Sequence, residues 1–125
     1  MTLLLPKSHI DDNLALHAMR IIREPDLNQY VRQHARAAVS LAQWQVVVRE
    51  ARWRSFVELR QTYRTADAVK AASGRAITIF NIAGGRFRLL TAIDYATRSI
   101  EVLDLLTHAE YDKETWKTEL SRLAS

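Results

Sequence analysis

The hydrophobic period changes partway along the chain, and that change constrains the fold more than any other feature. From Ala37 to Arg52 the apolar positions Leu41, Trp44, Val47 or Val48 and Ala51 recur every three or four residues, which predicts an amphipathic helix with a basic opposite face. Beyond Lys70, a loop at Ala71-Ala72-Ser73-Gly74 gives way to three β-rich runs: Ile77 to Ile82, Phe87 to Tyr95 and Ser99 to Leu106. In the middle run Phe87, Leu89, Thr91, Ile93 and Tyr95 take one face and Arg88, Leu90, Ala92 and Asp94 the other, because successive side chains of a pleated strand alternate. Short connections at Ala83-Gly84-Gly85 and Ala96-Thr97-Arg98 predict antiparallel hairpins. Gly84-Gly85 is a hairpin turn rather than a phosphate loop, since no helix follows it.

The flanks complete the pattern. Met19 to Ile22 reads as a short strand, and Pro25 stands where a helix accepts its first residue, with Glu24 and Asp26 adding negative charge at that end. Tyr30, Val31 and His34 follow at helical spacing. Ser55-Phe56-Val57-Glu58 matches a capping box and starts a short helix to about Gln61. After Tyr111 a last helix is expected, with Asp112 as its cap and Trp116, Leu120 and Leu123 on one face. Trp44, Trp53 and Trp116 fall on apolar stripes and read as core. The longer elements run β-α-α-β-β-β-α, which predicts an α+β layer fold: N-terminal helices on a small, mostly antiparallel sheet, with a C-terminal helix. Residues 1–18 lack a period and read as an extension, with 19–125 as one domain.

Composition narrows the chemistry. With no cysteine there are no disulfides, thiolate nucleophiles or zinc–thiolate sites, and a reducing compartment suits the chain. His9, His17, His34 and His108 stand singly, without the i, i+4 pairing that places two imidazoles on one helix face, so no metal site is expected. The apolar start, Met1 to Leu5, is cut short by Pro6, Asp11 and Asp12, so neither an export signal nor a membrane span is expected and the protein reads as soluble and cytoplasmic. A net charge of +4 favours a polyanionic partner, and 14 of the 18 basic residues are arginine, whose planar fork suits phosphate. GC-rich codon usage would enrich arginine equally.

Several motifs resemble the HigB toxins of the RelE-like superfamily. They are Met19-Arg20-Ile21-Ile22, Leu41-x-x-Trp44 with Trp53, Ala66-Asp67, Phe80-Asn81-Ile82-x-Gly84-Gly85-x-Phe87-Arg88-Leu89 and, most specifically, Thr107-His108-Ala109-Glu110-Tyr111-Asp112-Lys113. The resemblance covers about Met19 to Trp116. It implies the toxin of a type II toxin–antitoxin pair. Such a toxin is an endoribonuclease cutting messenger RNA, commonly on the ribosome, without a metal or small-molecule cofactor, and it is silenced by a HigA-like helix-turn-helix antitoxin.

Metal-free RNA cleavage needs a 2′-hydroxyl aligned on the neighbouring phosphate, a proton acceptor, cations for the growing charge and a donor to the leaving oxygen. Imidazole, with an ordinary pKa of about 6.5, can carry a proton in either direction near neutrality, which suits His108 at the edge between a strand and a helix. Without the resemblance His108 reads more simply as a strand-end cap. Arg88 matches the strand arginine of RelE-like toxins and would grip the scissile phosphate; Arg86, two residues away, would add a second contact. Tyr111 follows His108 by three residues and would converge on the same patch as a donor or a stacking surface, although packing suits it equally. Glu110 and Asp112 read as cap and salt-bridge residues. Arg60 stands where related toxins carry lysine, keeping the charge but not the proton-transfer capacity. Arg49, Arg52 and Arg54, with Arg32, Arg36 and Lys113, form basic surface for RNA. Two other readings remain open: a non-catalytic RNA- or DNA-binding module, and a degenerate toxin kept as a protein partner.

Overall fold

The computed structural model describes residues 18–22 and 25–118. The N-terminal extension with His9 and His17, the charge at Glu24, and Leu120 and Leu123 lie outside the described residues. Strand β1 (Arg20–Ile22) precedes helix α1 (Pro25–Gln33), a 3-10 turn at Ala35–Ala37, α2 (Ala38–Glu50) and α3 (Phe56–Thr62). Strands β2 (Asp67–Lys70), β3 (Ala76–Ile82), β4 (Phe87–Asp94) and β5 (Ser99–Thr107) follow, and α4 (His108–Asp112) continues directly from β5. The five strands lie in the order β1-β5-β4-β3-β2; β1 runs parallel to β5, and every other pair is antiparallel. This is the α+β arrangement expected from the change of period.

The helices cover one face of the sheet. Leu27 of α1, Leu41, Trp44 and Val48 of α2 and Leu59 of α3 pack with Phe80, Leu89, Ile100 and Val102 in the main core. Phe80 is fully buried and meets the rings of Trp44, Trp53 and Tyr63 at centroid distances of 5.5, 6.5 and 5.1 Å. The contacts with Trp44 and Tyr63 are edge-on and that with Trp53 is stacked, and such ring pairs add about 0.5–1.5 kcal/mol each beyond area burial. The opposite face carries a second, smaller cluster, with Ile77, Ile79, Leu90 and Trp116 buried and Leu106 and Tyr111 against them. A bulge in β5, where Leu90 faces Asp104 and Thr91 faces Val102, leaves Leu103 unpaired and resets the alternation of β5 toward its end.

Three local expectations are corrected. The edge strand β2 was not expected: Asp67 to Lys70 is mostly exposed and gains its strand form by pairing with β3. A short helix stands before the expected last one: Thr107 caps α4, its side chain accepting from the Glu110 N–H at 3.2 Å while the Glu110 carboxylate accepts from the Thr107 N–H at 2.9 Å, so α4 begins at His108 and Asp112 ends it rather than capping the last helix. The chain is helical again at residues 116–118, where the last helix was expected, and the rest of that helix lies outside the described residues. At α3, Ser55 accepts from the Glu58 N–H as expected, but the Glu58 carboxylate turns to the Arg54 N–H and guanidinium. Only the serine half of that capping box forms.

Candidate functional site

The early start of α4 assembles one end of the open face. Phe87 pairs with Thr107, and the His108 N–H donates to the Arg86 carbonyl at 3.0 Å, so the ladder between β4 and β5 runs into the helix without a gap. His108 and Tyr111 therefore lie one turn apart beside the start of β4. Arg88, on the same strand, points to the face opposite Phe87 and Leu89.

Arg88 is held from two sides. Its Nη1 donates to the Gly85 carbonyl at 2.6 Å and to the Phe87 carbonyl at 3.3 Å, and its guanidinium carbon lies 5.6 Å from the centre of the Tyr111 ring. Gly85 has φ +89°, a conformation strained for residues with a Cβ, and this brings its carbonyl to the arginine. Tyr111 in turn stacks on Trp116 at 5.2 Å and 15°, and the Trp116 Nε1 donates to the Tyr111 carbonyl at 2.9 Å. Lys117 closes the stack, 5.8 Å from the Trp116 ring. Arginine, tyrosine, tryptophan and lysine thus form one column, with the guanidinium fixed in place and one edge unoccupied by Tyr111.

The electrostatics fit that column. Burial pushes the Tyr111 phenol above its ordinary range, the Asp67 carboxylate adds to this, and the Arg88 guanidinium opposes it. The phenol stays protonated at neutral pH and is a donor there. The His108 Nδ1 lies 2.9 Å from Asp112 Oδ2, with both side chains more than half exposed. That contact orients the ring and leaves Nε2 for another partner. Glu110 caps the helix and Asp112 pairs with His108, the roles expected of cap and salt-bridge residues.

The remaining basic residues divide into two groups. Arg86, at the end of the β3–β4 turn, and Lys113, at the C-terminal cap of α4, are exposed beside Arg88 and His108. Arg49, Arg52 and Arg54 sit at the far end of the sheet, where the Arg98 guanidinium reaches the Arg52 carbonyl and Arg54 pairs with Glu58 at 3.0 Å. The structure does not bring these three to His108. Arg60 donates to the Arg64 carbonyl at 2.8 Å at the approach to β2. Sequence reasoning missed the Gly85 carbonyl as the anchor of Arg88, and it placed Trp116 in the core without its role beneath Tyr111. The Thr107-x-x-Glu110 capping box was the signal for the start of α4 at His108, the helix that carries Tyr111 onto Trp116.

Among the described residues no group of three or more histidine and carboxylate side chains is placed to hold a metal, and no helix is long and apolar enough to cross a membrane. No curated protein matches the chain. The model of the HigB_toxin family, described as the RelE-like toxic component of a toxin-antitoxin system, matches residues 37–114. That span runs from the start of α2 through β2–β5 to α4 and includes Arg88, His108 and Tyr111. The chain therefore belongs to the HigB toxin family, and it is the toxin component of a toxin–antitoxin system.

Proposed function

We propose that this toxin is an endoribonuclease that cleaves messenger RNA in the bacterial cytoplasm, engaged with the ribosome, and that a HigA-like helix-turn-helix antitoxin neutralises it. The 2′-oxygen attacks the adjacent phosphorus, the bond to the 5′-oxygen breaks, and no metal takes part. His108, oriented through Nδ1 by Asp112, uses Nε2 to take the proton of the 2′-hydroxyl and passes it to the departing 5′-oxygen, leaving a 2′,3′-cyclic phosphate and a 5′-hydroxyl. Arg88 grips the phosphate and stabilises its growing negative charge, which a fixed guanidinium does without reorganising. Tyr111 holds that guanidinium and offers a donor or a stacking face to the RNA. Arg86 and Lys113 contact the backbone next to the scissile bond, and Arg49, Arg52, Arg54 and Arg60 contact RNA farther away.

One observation carries this reading: the guanidinium of Arg88 rests on Tyr111 one helical turn from the His108–Asp112 pair, at an exposed sheet end. The test is induced expression of the parent, Arg88→Ala and His108→Ala, with folding checked by circular dichroism. The parent arrests growth, and each variant weakens the arrest by about a hundredfold in inducer dose, the usual scale for one charge-stabilising or proton-transferring group. Folded variants that arrest growth as strongly as the parent overturn the assignment. Messenger RNA that is bound but uncut points instead to a non-catalytic module.

A further inference from the structure

Row by row, the open face of the sheet turns from apolar to polar where the column of rings and cations stands. Ile79 and Leu90 pair across β3 and β4, and both are buried. The next row on that face is Asn81, Arg88 and Leu106, with Arg88 between the other two. Asn81 and Arg88 occupy directly opposite positions, whose Cβ atoms lie about 4.5–5.5 Å apart in a sheet. Asn81 is half-buried beside the anchored guanidinium. Strand β2 begins only at Asp67, which pairs with Ile79, so among the described residues no strand covers the outer flank of Asn81. Asp67 is exposed and is the diagonal neighbour of Asn81 on the same face. Burial pushes the Tyr111 phenol up and the Asp67 carboxylate adds to this, so Asp67 stands within reach of the column. Among the described residues the Asn81 carboxamide has no hydrogen-bond partner, and Asp67 uses only Oδ1, which accepts from the Ala68 N–H at 2.9 Å.

Charge across this row is lopsided. Arg86, Arg88, His108 and Lys113 gather where β4 begins and β5 runs into α4, whereas the β3–β2 side offers an amide and a carboxylate. A phosphate oxygen only accepts hydrogen bonds and is repelled by a carboxylate, so the RNA backbone follows the cations and a base reaches the other side. Single-stranded RNA exposes its base edges for such contacts. The amide can donate, and the carboxylate beside it can only accept. Guanine matches that order, with the acceptor O6 followed by the donors N1–H and N2–H. Uracil puts a carbonyl where the second donor is needed, and adenine and cytosine begin with a donor and continue with an acceptor. We propose that Asn81 and Asp67 select a guanine next to the scissile phosphate, the Asn81 N–H donating to O6 and the Asp67 carboxylate accepting from N1–H and N2–H. Neither residue touches the reacting atoms; together they decide which phosphate is presented to Arg88 and His108. This selection rests on the ribonuclease reading of the site.

The test uses uridine-rich single strands of 2′-fluoro RNA, which lack the attacking hydroxyl and cannot be cut. Each strand carries one guanine, one adenine, one cytosine or uridine alone, and Kd is measured by fluorescence anisotropy. Parent, Asn81→Ala, Asp67→Asn and Arg88→Ala are compared, with folding checked by circular dichroism. The parent is expected to bind the guanine strand about tenfold or more tighter than the other three, the scale of one well-made bidentate base contact. Asn81→Ala and Asp67→Asn each reduce that margin to about twofold or less without weakening the other three, and Arg88→Ala weakens all four alike. Asp67 is exposed, and asparagine keeps an oxygen to accept from Ala68, so Asp67→Asn decides the matter even where Asn81→Ala fails to fold. Equal Kd for the four strands, a parental preference for another base, or a guanine margin that survives in every folded variant overturns the proposal. So does equal weakening of all four strands by Asn81→Ala, which makes the amide a phosphate contact. Guanine selection in binding without new messenger RNA ends after induction supports Asn81 and Asp67 and counts against the nuclease alone. New ends without base selection in binding count against Asn81 and Asp67 alone.

Discussion

On the helix-covered face of the sheet, Phe80, Leu89 and Val102 are sealed beneath Trp44, Trp53 and Leu59, whereas the same strands carry on their other face a small cluster that, among the described residues, α4 and Trp116 cover. The first face is three rings and several aliphatic side chains deep. The second ends in a column of cation and ring pairs whose outer members reach solvent. The difference teaches where stability and chemistry are separated: burial on one side fixes the strands, and the fixed strands present Arg88 on the other.

If that separation holds, the two faces respond oppositely to truncation. Phe80→Ala should lower unfolding free energy by about 3–5 kcal/mol in urea titration, the range for a large core side chain. Arg88→Ala should change it by less than about 1 kcal/mol, because a partly exposed cation contributes little to folding. Equal losses from both would break the comparison. Arg88→Lys sharpens it: the charge stays, but the bonds to the Gly85 and Phe87 carbonyls and the flat contact with Tyr111 go. RNA cleavage should fall by about tenfold or more with folding stability nearly unchanged, since lysine lacks the planar fork.

A smaller effect is expected at the start of α4. Glu110→Ala removes one half of the Thr107–Glu110 capping box, and should cost about 1 kcal/mol of stability by thermal unfolding. Cleavage should drop by a few-fold, because the helix that carries His108 and Tyr111 loses its fixed start.

The smallest difference concerns two phenols, one on each face. Burial pushes Tyr63, on the helix-covered side, up to about 12, and raises Tyr111 on the open side as well. A raised phenol pKa favours the folded state below the ordinary value of about 10, and that contribution is lost as pH climbs through the folded value. Tyr63→Phe should therefore flatten the fall in stability between about pH 10 and about pH 12, measured by urea midpoints. Tyr111→Phe should flatten it less. The reverse order would place the deeper phenol on the open face.

The sequence reveals the two faces unevenly. Leu41, Trp44 and Val48 announce α2 by their spacing, and the alternation through Phe87, Arg88 and Leu89 tells which side of β4 each side chain takes. Those patterns are local, so they survive without knowledge of neighbours. Strand β2 carries no such pattern: Asp67, Ala68, Val69 and Lys70 form an edge whose shape comes from hydrogen bonds with β3. The parallel pairing of Arg20–Ile22 with Ser99–Glu101 joins segments far apart in the chain and left no trace in either. At α4 the information was present but ambiguous, because Thr107 is both the last residue of a strand and the cap of a helix. The spacing of His108 and Tyr111 already set them on one patch; the helical turn from His108 to Asp112 adds the contact between the imidazole and the Asp112 carboxylate. The arginines gave charge without position, and only the fold separates Arg88 from Arg52.

The central claim is that Arg88 and His108 act together on one RNA phosphate at the open end of the sheet. Mapping the 5′ ends of cellular messenger RNA after brief induction tests it most directly, with parent, Arg88→Ala and His108→Ala expressed at equal levels. The account predicts new, position-specific ends with the parent and none above background with either variant. The same ends, in the same amounts, from a folded Arg88→Ala or His108→Ala protein would contradict it.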